Sequence, residues 1–497
     1  MLTKQIFQGI KFNSISQPLC MVILFVRNVF LVRLLGIEDY GFYVIVVTSL
    51  LFLEPIFTLQ TDRSLLRYLP EYNSETKLGK FKALVIFSLK WSLSSFILLS
   101  TLILFLIIFF FEQYLVLAVL GLLKILFTII RLISLSTLLT LYQHKYKSII
   151  KVSEAFISLI LVLAVFPHFP TIVVAVMLLV FSNLYLACCY SYKVIFMLNK
   201  GQESLDKEIK KRFFQMSSRG IISRYTTYVV RQKSEVFFIA AYHSPTLVSI
   251  YSLGYDLSHK LSKIFNAPIG DLRLIAGSQL NKEKEDKMIL FLNIINKYTC
   301  LFFFPAAITT AILGDIIISS LYGSDFIGAS HTFRWILLLF SITIMTSHIS
   351  PLTAILEKFD LAILISVISA LINLLLDILL IPNYGINGAI IAVYSATLFS
   401  ILFWTVFINK KIGYMFPVLD YLKIIISCLP MAILFYVNFS LDYFSFDSIL
   451  GDFFILFLGS LTYPVMLKLV KIIKDEEFHY FSKVNSPLLL KVVSYIR

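Results

Sequence analysis

Charged side chains recur at helical spacing inside an otherwise apolar stretch of the sequence. The residues lie four, three and four positions apart: Arg224, Tyr228, Arg231 and Glu235. This spacing places all of them on one face of an α-helix. Guanidinium groups on such a face can bind anions, and a carboxylate there can bind a cation or a proton. The pattern therefore predicts a helix face that binds an anion, a cation or a proton.

The next apolar stretch carries a second charged stripe, formed by Asp256, His259, Lys260 and Lys263. A central Arg or Lys in a bilayer costs at least about 2.5–3.5 kcal/mol, so both stripes must face protein or water if these stretches span a membrane. Counting about 1.5 Å per residue from a short turn near 241–246 places Arg231 and Asp256 roughly 14 Å deep. We therefore expect these two residues to form an ion pair or to share a polar cavity.

Two other interpretations of these stripes remain open. The charges of Arg231 and Asp256 can be purely structural and hold two helices together. Alternatively, the segment 219–240 is an amphipathic helix on the membrane surface, which would break the charge alternation described below.

Two further candidates lie in the first two apolar stretches, Arg27 and Glu54. Glu54 precedes Pro55, and proline commonly kinks a helix, so a carboxylate beside it can bind a cation or proton. A buried structural carboxylate is the alternative. Arg27 and Glu54 differ by about 9 Å in expected depth, and we do not expect them to pair.

Other polar residues inside apolar stretches have plainer interpretations. Ser366, Ser369, Asn373 and Asp377 form a stripe that predicts hydrogen bonding between helices. Five cations occur singly and are expected to snorkel to the membrane surface or to pair locally: Lys90, Lys124, Arg131, Lys297 and Arg334.

The elements that position these residues are membrane-spanning helices. The 497 residues are 59% apolar and 14% charged, with a mean hydropathy of +0.87, whereas a soluble protein carries about 25% charged residues. Fourteen segments are apolar and long enough to be predicted spans. They are 12–34, 41–62, 84–111, 114–138, 152–167, 171–191, 219–240, 247–268, 289–312, 332–355, 361–381, 388–408, 421–440 and 452–470. The fold class is therefore an all-α polytopic membrane protein.

The loop charges orient these spans. Alternate loops hold 29 of the 43 Lys and Arg residues, and the opposite loops hold one, Arg33. Cytoplasmic loops carry such an excess, so both termini are expected in the cytoplasm. The polar segment 192–218 then follows six spans. We predict an N-terminal lobe at 1–191, a cytoplasmic linker at 192–218, a C-terminal lobe at 219–408, and two more spans with a basic tail at 409–497.

Several function classes are disfavoured. The net charge of +14 is spread over many short loops rather than one patch, which argues against nucleic-acid binding. The five cysteines lie in predicted spans without metal-ligand spacing, and no catalytic or nucleotide-binding motif occurs. We predict no catalytic residues, no metal site and no cofactor.

The N-terminus resembles a signal peptide but lacks a small-residue cleavage site, so we expect an uncleaved first span.

Four span junctions carry a family resemblance. LLGIEDYGFY (34–43), DRSLLRYLPEY (62–72), LYGSDFIGAS (321–330) and PNYGINGAIIA (382–392) resemble junctions of bacterial polysaccharide repeat-unit flippases (Wzx-type) of the MOP exporter superfamily. In this order, on fourteen spans, they cover the whole chain. Two features depart from the family pattern: the acid of the seventh span is Glu235 rather than Asp, and no clear glycine precedes Asp62.

The resemblance implies two six-helix lobes around a central cavity that opens alternately to either side. The implied substrate is an oligosaccharide linked through pyrophosphate to a polyprenyl lipid, and the implied partners are membrane lipids, glycosyltransferases and a polysaccharide polymerase. Such an anionic substrate needs cations deep in the membrane. We therefore predict substrate binding by Arg27, Arg224, Tyr228, Arg231, Lys260 and Lys263. Candidates for ion coupling are Glu54, Glu235 and Asp256.

Two alternatives to this function remain. An exporter of cationic drugs from the same superfamily would favour acidic rather than basic cavity walls. A membrane glycosyltransferase or polysaccharide polymerase generally needs a sizeable outer loop, whereas the longest predicted outer loop here is about 313–331.

Overall fold

The computed structural model describes eight stretches of the chain, residues 2–72, 78–198, 203–231, 234–280, 285–347, 359–412, 417–441 and 449–472. These stretches contain α-helices, a few short 3-10 turns and no β-strand. The helices are α1 (Leu2–Thr58), α2 (Thr61–Tyr68), α3 (Leu78–Phe110), α4 (Leu115–Thr140), α5 (His144–Val165), α6 (Ile172–Met197), α7 (Lys207–Arg231), α8 (Glu235–Tyr242), α9 (Pro245–Leu280), α10 (Glu285–Ile312), α11 (Gly314–Tyr322), α12 (Ala329–Met345), α13 (Phe359–Ile412), α14 (Val418–Leu441) and α15 (Ile449–Leu469). The predicted all-α class is confirmed.

Two of these helices each contain a pair of predicted spans. Helix α1 is interrupted at Gly36, where φ is 78°, and α13 is interrupted at Gly385, where φ is 52°. A positive φ is strained for residues with a Cβ atom, so glycine is the residue that lets each helix break there. The apolar parts, Ser16–Thr58 and Asp360–Lys410, have 43 and 51 residues. At about 1.5 Å per residue, each is about twice as long as one bilayer crossing requires.

The remaining predicted spans also fall on helices where the structure describes them; residues 348–355 of the predicted span 332–355 lie outside the described residues. Seven of the described helices are long and apolar enough to cross a membrane, or eight if α10 and α11, bent by 71°, form one broken span. Helices α12 and α15 are apolar but shorter. The two stripe-bearing segments, α7 with α8 and α9, lie outside this set, as expected for spans that carry charges. The chain is a multi-span membrane protein.

The predicted span 219–240 is not one uninterrupted helix, because Ser234 lies in a turn. Helix α7 ends at Arg231 and α8 begins at Glu235. The hydroxyl of Ser234 donates a hydrogen bond of 2.9 Å to the carbonyl of Val229, five residues back, which suits the end of one helix rather than its continuation. Glu235 consequently does not share the uninterrupted helix face of Arg224 and Tyr228.

The chain divides into two compact units. The first comprises Met1–Ser249 and Asn373–Ala389, and the second comprises Ile250–Ile372 and Ile390–Arg497. The core of the first unit contains buried side chains of α1, α3, α4, α6 and α7, including Phe57, Phe81, Ile129, Tyr190 and Phe213. The division into lobes at 1–191 and 219–408 stays a prediction.

Polar contacts fix the trailing helices within the second unit. The Asn296 amide of α10 donates to the Met345 carbonyl at 2.6 Å and to the Tyr421 hydroxyl of α14 at 2.7 Å. The buried Lys297 ammonium donates to the carbonyl of Ile472, just beyond α15, at 2.6 Å. Arg334 pairs with Asp315 at 2.7 Å. The last two predicted spans are therefore packed on α10 by specific hydrogen bonds as well as by apolar contact.

The break at Gly36 generates a stability prediction. Alanine at this position has space but would be held at positive φ with an extended ψ, a conformation that is nearly restricted to glycine. We expect Gly36→Ala to lower the free energy of unfolding by about 1–3 kcal/mol. Thermal unfolding of the purified, detergent-solubilised protein measures the change. Gly328→Ala is the matched control, because its Cβ would meet only ordinary van der Waals contact at negative φ. Equal melting temperatures for both variants would contradict this assignment.

Candidate functional site

A buried ion pair joins α1 and α4. The Lys124 ammonium donates to the Glu54 carboxylate at 2.9 Å, and the two side chains are 11% and 9% exposed. Lys124 was expected to snorkel or to pair locally, but its partner lies 70 residues away on another helix. A carboxylate already neutralised by a fixed ammonium is a weak site for a free cation. The structure therefore makes Glu54 a less suitable coupling residue than the sequence indicated.

Arg224 and Tyr228 form the second element of the site. The Arg224 Nε donates to the Tyr228 hydroxyl at 3.0 Å, and the guanidinium carbon lies 4.9 Å from the centre of the Tyr228 ring. Tyr228 is buried, and the neighbouring Tyr225 hydroxyl donates to the Phe52 carbonyl of α1 at 2.7 Å. These contacts hold the guanidinium in one orientation. Among the described residues, its two terminal amino groups have no hydrogen-bond partner and can bind an anion.

Short helix α2 adds two charges to this region. Arg63, Arg224 and Glu54 all lie near enough to Asp62 to act on it electrostatically, and the same three act on Tyr228. A contact of 2.9 Å between the hydroxyls of Ser64 and Ser217 fixes α2 against α7.

We call this group of side chains the cationic cluster: Glu54, Asp62, Arg63, Lys124, Arg224 and Tyr228. Its three cations outnumber its two carboxylates. A net positive charge in a half-buried setting favours binding of an anion.

A second group of polar side chains is almost completely buried in the same unit. The Asn373 amide donates to Glu235 at 3.2 Å and to Asp377 at 3.4 Å, and the Ser234 hydroxyl donates to Asp377 at 3.4 Å. Glu235 and Asp377 are 1% and 0% exposed. We call Ser234, Glu235, Asn373 and Asp377 the acidic cluster.

The acidic cluster can bind a hard cation or a proton. Two carboxylates that share an amide donor repel each other when both are ionised, so a bound cation or a shared proton stabilises them. Carboxylate, amide and hydroxyl oxygens are the ligands that hard cations prefer. Glu235 was predicted for such a role. Asp377 and Asn373 were expected only to join helices, which they also do.

The hydrogen bond of Arg27 is made to α5 and not to a residue of either cluster. Its Nη1 donates to the Ser158 hydroxyl of α5 at 2.9 Å. Its Nε is buried and, among the described residues, lacks a hydrogen-bond partner. The expectation that Arg27 does not pair with Glu54 is confirmed, because each has another partner.

The remaining predicted site residues lie on α7 and α9. The side chain of Arg231 lies outside the described residues, so its proposed contact with Asp256 stays a prediction. Asp256, Lys260 and Lys263 lie on α9 in the second unit, where Lys263 is exposed and the other two are half-buried. Nearby, the His259 ring lies 6.5 Å from Tyr255 and 5.6 Å from Phe340.

Sequence reasoning missed another buried carboxylate, Glu154 of α5. It accepts hydrogen bonds from Lys151 at 3.1 Å and from the Ser182 hydroxyl of α6. Its position in the fifth predicted span was the available signal. The Glu154 carboxylate therefore has one hydrogen-bond donor on its own helix, α5, and one on the neighbouring helix α6.

Comparisons with known proteins identify the family. The sequence profile of a family described as "Polysaccharide biosynthesis protein" matches residues 6–271, more than half of the chain. The chain belongs to this family. No curated protein matches the chain significantly by sequence.

Solved structures support the fold of this family member. A structure titled "Lipid II flippase MurJ, inward closed conformation" has a TM-score of 0.69 at 18% identity, covering 92% of this chain and 98% of that one. An inward-facing multidrug resistance MATE family transporter of the MOP superfamily has a TM-score of 0.60 at 11% identity, covering 78% and 96%. A MOP superfamily transporter from Pyrococcus furiosus has a TM-score of 0.54 at 12% identity, covering 81% and 96%. The predicted MOP/MATE-like fold is confirmed.

The acidic cluster generates a binding prediction. A cation that binds the folded protein alone raises its stability, by about 2.7 kcal/mol at a concentration of one hundred times Kd. We expect Na⁺ to raise the melting temperature more than choline at equal ionic strength, and Asp377→Asn to remove this difference. Glu154→Gln, which changes another buried carboxylate, is the control and should retain it. An unchanged sodium effect in Asp377→Asn would exclude cation binding at this cluster.

Proposed function

We propose that this family member is a flippase for polyprenyl-pyrophosphate-linked oligosaccharides. It moves these units from the inner to the outer leaflet for the synthesis of cell-surface polysaccharide, such as O-antigen or capsule. The observation that carries the proposal is the cationic cluster, in which an oriented guanidinium and a buried ammonium lie within predicted spans. The protein is proposed to act as a transporter and not as an enzyme.

The chemistry of the substrate matches this cluster. A pyrophosphate group is a strong anion, and moving it through hydrocarbon is costly unless fixed cations replace its water. The two open amino groups of Arg224 supply four N–H donors, and the half-buried Tyr225 provides aromatic surface for sugar rings. The buried Tyr228 orients Arg224. We propose that Arg27, Arg231, Lys260 and Lys263 are further cations that bind the substrate. The MurJ neighbour, titled a lipid II flippase, supports a lipid-linked substrate for this fold.

We propose a bacterial inner membrane as the location, with both termini in the cytoplasm. The 29 Lys and Arg residues in alternate loops support this orientation, because cytoplasmic loops carry such an excess. In this orientation the substrate is loaded from the cytoplasmic leaflet. Glycosyltransferases that build the unit and a polymerase that consumes it are the expected functional partners.

The acidic cluster is the proposed coupling site. Binding of a cation or a proton to Glu235 and Asp377 would favour one conformation over another if its affinity differs between them. This difference is what an alternating-access cycle requires. Glu235 is preferred to Glu54 because Lys124 already neutralises Glu54. Asp256 remains a candidate for coupling in the second unit.

A multidrug exporter is the second candidate function. The MATE neighbour and the two buried carboxylates of the acidic cluster favour it, since a cationic drug needs an acidic partner. The excess of cations in the cationic cluster argues against it. A drug-sensitivity assay of a deletion strain separates the two: increased sensitivity with normal surface polysaccharide would support the exporter.

Loss of three of the further substrate-binding cations should abolish export. We expect the combined substitution Arg27→Gln, Arg231→Gln and Lys260→Gln to lower surface polysaccharide at least tenfold in cells that depend on this protein, because the pyrophosphate loses its partners. Immunoblotting of surface polysaccharide measures the effect at matched protein level. Lys90→Gln changes an exposed cation of α3 and should leave export normal. Intact export in the triple variant would refute the proposal.

A further inference from the structure

The buried pair of Lys124 and Glu54 has no evident value as a stabilising contact. Removing two charges from water costs several kcal/mol per ion, and a well-packed apolar pair of similar size is often as stable or more stable. The pair also lies in predicted spans, where charged residues are usually functional. Glu54 lies next to Pro55, and Lys124 lies in the middle of an apolar helix. A role other than packing would explain why two buried charges are placed here.

We propose that Lys124 binds the anionic group of the substrate, and that Glu54 is a built-in counter-ion which the substrate displaces. This inference rests on the proposed function, because it takes the substrate anion to be the pyrophosphate of a polyprenyl lipid.

The hydrogen bonds of Lys124 leave room for such an exchange. An ammonium carries three N–H donors. Among the described residues, Glu54 accepts one hydrogen bond from the Lys124 ammonium, at 2.9 Å. Two donors are left for another oxygen ligand. A pyrophosphate presents several oxygens and more negative charge than one carboxylate, so it can compete for this ammonium.

The position of the pair connects it to Arg224. Glu54 and Arg224 both act electrostatically on Tyr228, whose hydroxyl accepts the hydrogen bond from Arg224. Phe52, two residues before Glu54, lies 5.8 Å from the Tyr228 ring, and its carbonyl accepts the hydrogen bond from Tyr225. The ion pair is therefore anchored beside the open guanidinium. An anion bound at Arg224 therefore lies near Glu54, the counter-ion of Lys124.

Displacement involves no covalent step. The contact between Lys124 and Glu54 breaks, the contact between Lys124 and the phosphate forms, and the Glu54 carboxylate stays near the bound anion. Its negative charge then weakens binding and favours release. Glu54 thus prevents the site from holding its substrate too tightly, which a transporter must avoid to complete its cycle.

This arrangement predicts opposite effects for the two partners. In the full-length purified protein, Glu54→Gln should bind farnesyl diphosphate about five- to tenfold more tightly and release it more slowly. Lys124→Gln should bind it about tenfold more weakly, and the double variant should resemble Lys124→Gln. Microscale thermophoresis measures affinity, with inorganic diphosphate and farnesol as probes for the anion and the chain. Inorganic diphosphate should show the same order, and farnesol should show no difference.

A control variant tests whether any broken ion pair has the same effect. Asp315→Asn removes the carboxylate from the pair with Arg334, and it should leave the affinity unchanged. A gain of affinity in Glu54→Gln cannot arise from misfolding. It would therefore support the proposal even if Lys124→Gln proved unstable.

The outcomes separate this inference from the proposed function. If Arg224→Gln loses binding while both Glu54→Gln and Lys124→Gln bind like the unmodified protein, the inference is wrong and the flippase proposal stands. Weaker binding by Glu54→Gln would show that the pair supports the fold, and it would also overturn the inference. If the unmodified protein binds neither diphosphate, both proposals fail.

Discussion

A charged side chain inside a bilayer must be paired, hydrogen-bonded or hydrated, and this requirement governs the arrangement of the first compact unit. Its intramembrane charges are placed against specific partners, on another helix or on the same one. Lys124 contacts Glu54, Arg224 contacts Tyr228, and Glu235 contacts Asn373. Each contact joins helices or fixes a side chain on one. The same constraint that makes these residues costly also makes them rigid, and rigid charges are what a binding site needs.

One cluster of this unit has a net positive charge, and the other contains only negatively charged and neutral side chains. The cationic cluster collects three cations and two carboxylates on α1, α2, α4 and α7, whereas the acidic cluster collects two carboxylates on α8 and α13. The turn at Ser234 separates Glu235 from the helix of Arg224 and Tyr228, so one predicted stripe becomes two local environments. A substrate anion and a coupling cation can then occupy different sites in one unit. This separation is the physical basis of the proposed transport cycle.

Local features of the fold could be predicted from the sequence, whereas contacts between residues far apart in the chain could not. Hydropathy placed most of the predicted spans on helices, and Gly36 lies at a helix break where positive φ favours glycine. Helical periodicity gave the contact between Arg224 and Tyr228. The partners of Lys124 and Glu235 lie 70 and 138 residues away. Which faces of two helices meet depends on packing of the whole unit, which no single segment encodes. The break before Glu235 was missed for a related reason, since hydropathy and spacing continue through it.

The central claim is that cations of the first unit carry an anionic lipid across the membrane. The most direct test is flipping of a fluorescent polyprenyl-diphosphate glycolipid in proteoliposomes that contain only this protein. We expect the unmodified protein to expose the probe to an external quencher, and Arg224→Gln to reduce the initial rate at least tenfold at equal protein content. A rate that is the same for both proteins, or equal to that of protein-free liposomes, would contradict the account.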